Sequence, residues 1–125
     1  MSPALFVAVA VGGLLGAPSR YLLDRLVHRR WESDLPWGTF LVNMSGAFVL
    51  GLLTGLELAG HLPTGVQALA GDGFCGAFTT FSTFTFETMR LAEDGELLQA
   101  AVNVVGSVAV GLAAAAAGVA LGLVF

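Results

Sequence analysis

From Leu97 to Phe125 the chain runs without one charged residue, and three earlier stretches come close to the same condition. No other feature limits the fold so strongly. A helix crosses the hydrocarbon of a bilayer in about 20 apolar residues, and lipid-facing irregular backbone is forbidden there because its N–H and C=O groups would go unpaired. The stretches are therefore expected as membrane helices. The first covers about residues 4–26 and contains LFVAVAVGGLLGAPSRYLL, and the second covers about 37–58, uncharged until Glu57. The third covers about 64–90 and the fourth about 97–125. Charged residues make up 11% of the chain, against roughly 25% in a soluble domain. The expected fold is an all-α integral membrane protein, a single domain over residues 1–125 with four transmembrane helices and short connections.

The first stretch is expected to stay as a mature helix rather than act as a signal peptide. No basic region precedes it, and Arg20 and Tyr21 stand where a cleavage site should be. The lone Cys75 excludes an intrachain disulfide, and His28 and His61 are too isolated for a metal site, so both are expected as loop residues. Small residues recur four apart at Gly12/Gly16, Gly51/Gly55 and Gly118/Gly122, a spacing that lets helix backbones approach closely in lipid. Together they predict a compact bundle, with little interior unless a second copy completes it. Arg25, Arg29, Arg30 and Arg90 all fall beside the first and third connections. By the positive-inside rule, that places both termini outside.

Polar residues within membrane spans are the default functional candidates. Here they are Arg20 in helix 1, Asn43 in helix 2, Asn103 and Ser107 in helix 4, and Thr79, Thr80, Ser82, Thr83 and Thr85 in helix 3, with Glu87 toward its end. Each also has a structural reading. Arg20 can snorkel to the interface, the hydroxyls can bond back to carbonyls one turn earlier, and Asn103 with Ser107 can bond neighbouring helices together. Asn43 is harder to dismiss, since an amide amid apolar neighbours needs partners on both its oxygen and its nitrogen.

The set is rich in donors and poor in acids, which suits an anion better than a cation. Phenylalanine fits the same reading, because its ring edge is positive and favours a small dehydrated anion. Phe81 and Phe84 are three apart and neighbours on a helix, though by itself such a pair more often serves packing or faces lipid. Gly71, Gly73 and Gly76 predict a break near the middle of helix 3. A break at that depth frees carbonyls that need water, protein or a cation as partner, and so marks an ion site without naming the ion.

The blocks GGLLGAPSRY, PWGTFLVNMSGAFVLG, GFCGAFTTFSTFTFE and NVVGSVAVGL, one from each helix, resemble the signature blocks of the Fluc (CrcB) family of fluoride channels. The resemblance implies a passive fluoride exporter of the bacterial or archaeal cell membrane, built as an antiparallel dimer and lowering cytoplasmic fluoride. It implies a fluoride pore of Asn43, Phe81, Phe84 and Ser107, with Ser82, Thr83 and Thr85 as a polar track, and a vestibule with Arg20 and Glu87. It also implies a structural sodium ion held by the backbone carbonyls of Gly76 and Thr79 at the dimer interface. The expected partners are fluoride, membrane lipid and a second copy of the chain, or an oppositely oriented paralogue given the arginine bias; nucleic acid is not among them.

No catalytic constellation competes, so an enzyme is not expected. Two other classes remain. A small multidrug-type proton-coupled transporter would also have four helices, but its working acid is embedded in helix 1, where the apolar run up to Arg20 carries none. A non-conducting assembly subunit would use the small-residue packing but would leave the donor-rich helix 3 without a purpose.

Overall fold

The computed structural model describes residues 2–31, 33 and 35–125, all helical apart from short connections. Helix α1 spans Pro3–Arg30 and α2 spans Trp37–Leu58. A helical run then passes from α3 (Thr64–Val66) through a π-helical segment (Gln67–Cys75) into α4 (Gly76–Phe78). Helices α5 (Ser82–Glu93) and α6 (Leu97–Val124) complete the chain. Among the described residues, α1, α2 and α6 are the three helices long and apolar enough to cross a membrane.

The ends of these helices follow from local chemistry. Ser2 caps α1 by accepting the Leu5 N–H at 3.2 Å, and Pro3 occupies the first helical position, where its missing N–H costs nothing. At the other end His28, Arg29 and Arg30 form a basic last turn, which the negative end of the helix dipole favours. His28 therefore lies in the helix rather than in a loop. Helices α2 and α5 both finish in the same closing turn. Gly60 and Gly95 take positive φ, and the next residue's N–H reaches back to Leu56 O at 2.9 Å and to Leu91 O at 2.8 Å.

Two tight pairings organise the bundle, α2 against α6 and α1 against the π-helical segment. In both, backbone meets backbone. A Cβ at Gly122 would come within 2.7 Å of Leu56 N and 2.9 Å of Gly55 C. One at Gly73 would meet Val9 O at 2.5 Å and Gly12 Cα at 3.0 Å. The three glycine pairs expected from spacing thus serve packing within one chain. Little else is enclosed: even α2, the best covered of the three long helices, buries 28% of its apolar window. Large side chains such as Phe6, Leu14, Leu112 and Val124 face outward.

The stretch expected as a third helix is not one helix. The glycines do not interrupt it, because Gly71 and Gly73 lie inside the π-helical segment, where Gly76 N–H bonds to Gly71 O five residues back. The interruption falls later, at Thr79–Phe81, where Thr79 takes extended angles (φ −80°, ψ 158°). The wide π turns absorb the close approach to α1, and a side chain from α2 stops the helix.

Candidate functional site

Asn43, projecting from α2, is that side chain. Its Nδ2 donates to Thr80 O at 2.9 Å, and its Oδ1 accepts the Thr80 N–H at 2.8 Å. Both functions of the amide are satisfied by one residue of the interrupted segment, through its N–H and its C=O. In a continuing α-helix the Thr80 N–H would bond to Gly76 O, so Asn43 withdraws that donor from Gly76. One turn on, the Thr83 N–H goes to Thr80 Oγ1 at 3.1 Å, which withdraws the helical donor from Thr79 O as well. The two carbonyls named from sequence as ion ligands are thus among those whose usual helical donors are lost at the interruption. Gly76 is exposed, with open space where a Cβ would stand.

Around this interruption the candidate residues divide. Asn43, Thr79, Thr80, Phe81, Phe84 and Ser107, drawn from α2, the interrupted segment, α5 and α6, line a single cavity of about 380 Å³. A water occupies about 30 Å³ of liquid, so the cavity has room for a small ion with part of its hydration. Phe81 and Phe84 stand with ring centroids 6.0 Å apart at an interplanar angle of 42°. Phe81 is 76% exposed, too open to act as a packing residue within this chain.

Arg20 and Thr83 lie apart, in a neighbouring cavity of about 190 Å³ that also has Tyr21, Asp24, Thr39 and Thr80 in its wall. Thr80 therefore borders both spaces. Glu87 faces a third cavity, and its carboxylate accepts a short hydrogen bond from the buried Thr39 hydroxyl on α2. Ser82 is exposed, and Thr85 spends its hydroxyl on Phe81 O at 3.1 Å and Ser82 O at 2.9 Å, back-bonds within its own helix. Asn103 is buried and donates to Thr88 Oγ1 at 2.8 Å, joining α6 to α5.

Sequence reasoning gave Thr80 no more weight than its neighbours and passed over Thr39, yet these two make the cross-helix bonds that position the site. A Thr pair following the glycines was the available signal for Thr80. Nothing local distinguishes Thr39, whose importance comes from a partner 48 positions away. Among the described residues no three His, Cys, Asp or Glu side chains come together as a metal cluster.

The profile of the CrcB-like protein family (Camphor Resistance, CrcB) matches residues 7–119. The chain is 50% identical over 114 residues to the fluoride-specific ion channel FluC 1 of Streptomyces avermitilis, covering 91% of this chain and 92% of that one. It is 49% identical over 121 residues to FluC 1 of Frankia casuarinae, covering 93% and 94%. It is 48% identical over 121 residues to FluC 2 of Mycobacterium tuberculosis, covering 94% and 93%. With the profile spanning nearly the whole sequence and half the residues shared along it, this multi-pass membrane protein belongs to the CrcB family.

Proposed function

We propose that the chain is a fluoride-selective channel that lets fluoride leave the cell passively and so limits its toxicity. The observation that carries this reading is the convergence of Asn43, Phe81, Phe84 and Ser107 on one cavity, in a chain whose relatives at about half identity bear the name of fluoride-specific channels. Fluoride holds its water strongly, so a path must replace the shell with donors. Asn43 keeps one N–H beyond the one given to Thr80, Ser107 brings a hydroxyl, and the two phenylalanines offer positive ring edges. Arg20 on one side of Thr80 draws anions toward the path, with Thr83 beside it, while Ser82 and Thr85 extend the polar face of α5.

The third membrane crossing is the interrupted stretch from Thr64 to Glu93, which makes four in all. The chain works as an antiparallel dimer, with a second copy or an oppositely oriented paralogue covering the outward apolar faces. Gly76 and Thr79, with carbonyls turned from their helical donors on an exposed surface, would hold a sodium ion between two such chains. The ion would supply electrostatic pinning of the two interruptions. These residues fit a hard cation, since both ligands are oxygens and no side chain fills the space at Gly76.

Purified protein in liposomes loaded with potassium fluoride tests the function. Rapid fluoride release on adding a potassium ionophore, with chloride retained, is expected. Retention of fluoride would overturn the reading, and release that required a proton gradient and an organic cation would favour a coupled transporter.

A further inference from the structure

Three cavities lie in series toward the end where α1 finishes. The Phe81/Phe84 cavity shares Thr80 with the Arg20 cavity. Beyond the Arg20 cavity a third space of about 380 Å³ opens among His28, Glu87, Arg90 and Asp94. The wall between the last two is thin. Thr39, on the inner side, bonds to Glu87 on the outer side, and Asp24, on the inner side, stands one helical turn from His28 on the outer side. An anion crossing this wall passes two carboxylates, an unfavourable arrangement unless something offsets their charge.

His28 is the imidazole at this wall, and it carries charge only when protonated. Its Nε2 stands 3.3 Å from Asp24 Oδ1. That oxygen is shut off from solvent and receives no well-directed hydrogen bond among the described residues. On its other side it presses on Gly38, where a Cβ would collide with it, so the absence of a side chain at 38 makes room for the carboxylate. A buried acceptor without a donor is unfavourable, and an imidazolium at 28 would supply both the donor and the opposing charge. The other charged groups facing His28 are Glu87 and Arg90 on α5 and Asp94 in the turn after it. Arg25, Arg29 and Arg30 share the end of α1 with His28, Glu96 is the N-cap residue of α6 at this end, α2 brings no charged group to it, and Glu32 and Asp34 lie outside the described residues.

We propose that the Asp24–His28 pair sets the charge of this mouth, so that protonation of His28 admits anions to the Arg20 cavity. The proposal rests on the channel reading above. With His28 neutral, the carboxylates of Asp24, Glu87 and Asp94 outweigh Arg20 and Arg90 around the two cavities, and the balance holds anions back. With His28 protonated, Asp24 is neutralised and entry rises.

The test is fluoride efflux from liposomes containing the full chain, with pH equal on both sides and stepped from about 8 to about 5.5, across the ordinary histidine range. Leak through protein-free liposomes is subtracted at each pH. Flux of the unaltered protein is expected to rise about two- to tenfold on acidification, as one unit of charge is added beside the path. His28→Gln should stay at the low level throughout, His28→Arg should stay high and flat, and Asp24→Asn should start from a higher level at the alkaline end and still rise on acidification. His61→Gln, past the far end of α2, should keep the full profile. His28 is half exposed, so these changes do not place folding at stake. An unchanged profile in His28→Gln, or a flat profile in the unaltered protein, overturns the proposal. Absence of fluoride flux at every pH overturns the channel reading and this proposal with it.

Discussion

Asn43 and Phe81 share a cavity but hold their positions by different means, so substitution separates their roles. Asn43→Ala removes two hydrogen bonds to the Thr80 backbone and leaves its N–H and its C=O without those partners, an expected loss of about 2 kcal/mol or more. Thermal unfolding in detergent should show it. Phe81→Ile keeps bulk and hydrophobicity while removing the ring quadrupole. Because Phe81 is largely exposed within the chain, stability should barely change while fluoride efflux per assembled protein falls at least tenfold. Near-normal efflux would strip Phe81 of its pore role. Thr79→Ser should retain any sodium, since the ligand there is a carbonyl, and crystallographic density at hydrogen-bond rather than coordination distances in either form would argue for water.

At the scale of the helices, the α2–α6 contact makes the sharpest forecast. Gly118→Ala would drive a methyl group to 2.7 Å from Leu52 N, forcing the helices apart, and a destabilisation of several kcal/mol is expected. Gly106→Ala, on the same helix but with open space at its Cβ, should be neutral or stabilising by about 0.5–1 kcal/mol from helix propensity. Comparable effects from the two would show that the glycine contact is not what holds the pair.

That α2 and α6 would be long membrane helices was legible in their uncharged length, and their facing glycines in the spacing. The place of the interruption was not. Gly71 and Gly73 looked like the breaking point because glycine weakens a helix locally, but both lie within the π turns, and Gly73 is taken up in packing on α1. What stops the helix is an amide 37 positions upstream, and no local pattern carries that information. The site was legible as a set of residue types: donors and phenylalanines in apolar surroundings. Its division into separate cavities, with Arg20 and Thr83 away from Phe81 and Phe84, depends on how α1, α2 and α5 face one another. The His28–Asp24 contact was hidden for a simpler reason, since α1 continues one turn past the point where its apolar run ends.

Taken as a whole, the molecule carries its arginines unevenly. Arg25, Arg29 and Arg30 close α1 and Arg90 lies near the end of α5, so all four sit toward one end of the bundle, while the other end has none. A measurable preference for one orientation follows from the positive-inside rule. Single cysteines placed near Ser2 and near His61, in a background lacking Cys75, should label unequally with a membrane-impermeant reagent on intact cells. Equal labelling would mean that four arginines are too few to fix the direction of insertion, and would support pairing of identical chains in opposite orientations.

The backbone contact between α2 and α6 also bears on how such a chain changes over generations. An interface made by missing atoms is specified by two short patterns of vacancy rather than by matched side chains. Substitutions among leucines, valines and alanines wherever the outward faces meet lipid are then nearly free, because lipid accepts any of them, whereas one added carbon at Gly51, Gly55, Gly118 or Gly122 is blocked by main chain that cannot move aside. Drift should therefore run fast where these helices face lipid and stall at these four points, leaving a sparse fingerprint of glycines where a soluble protein would preserve a filled core.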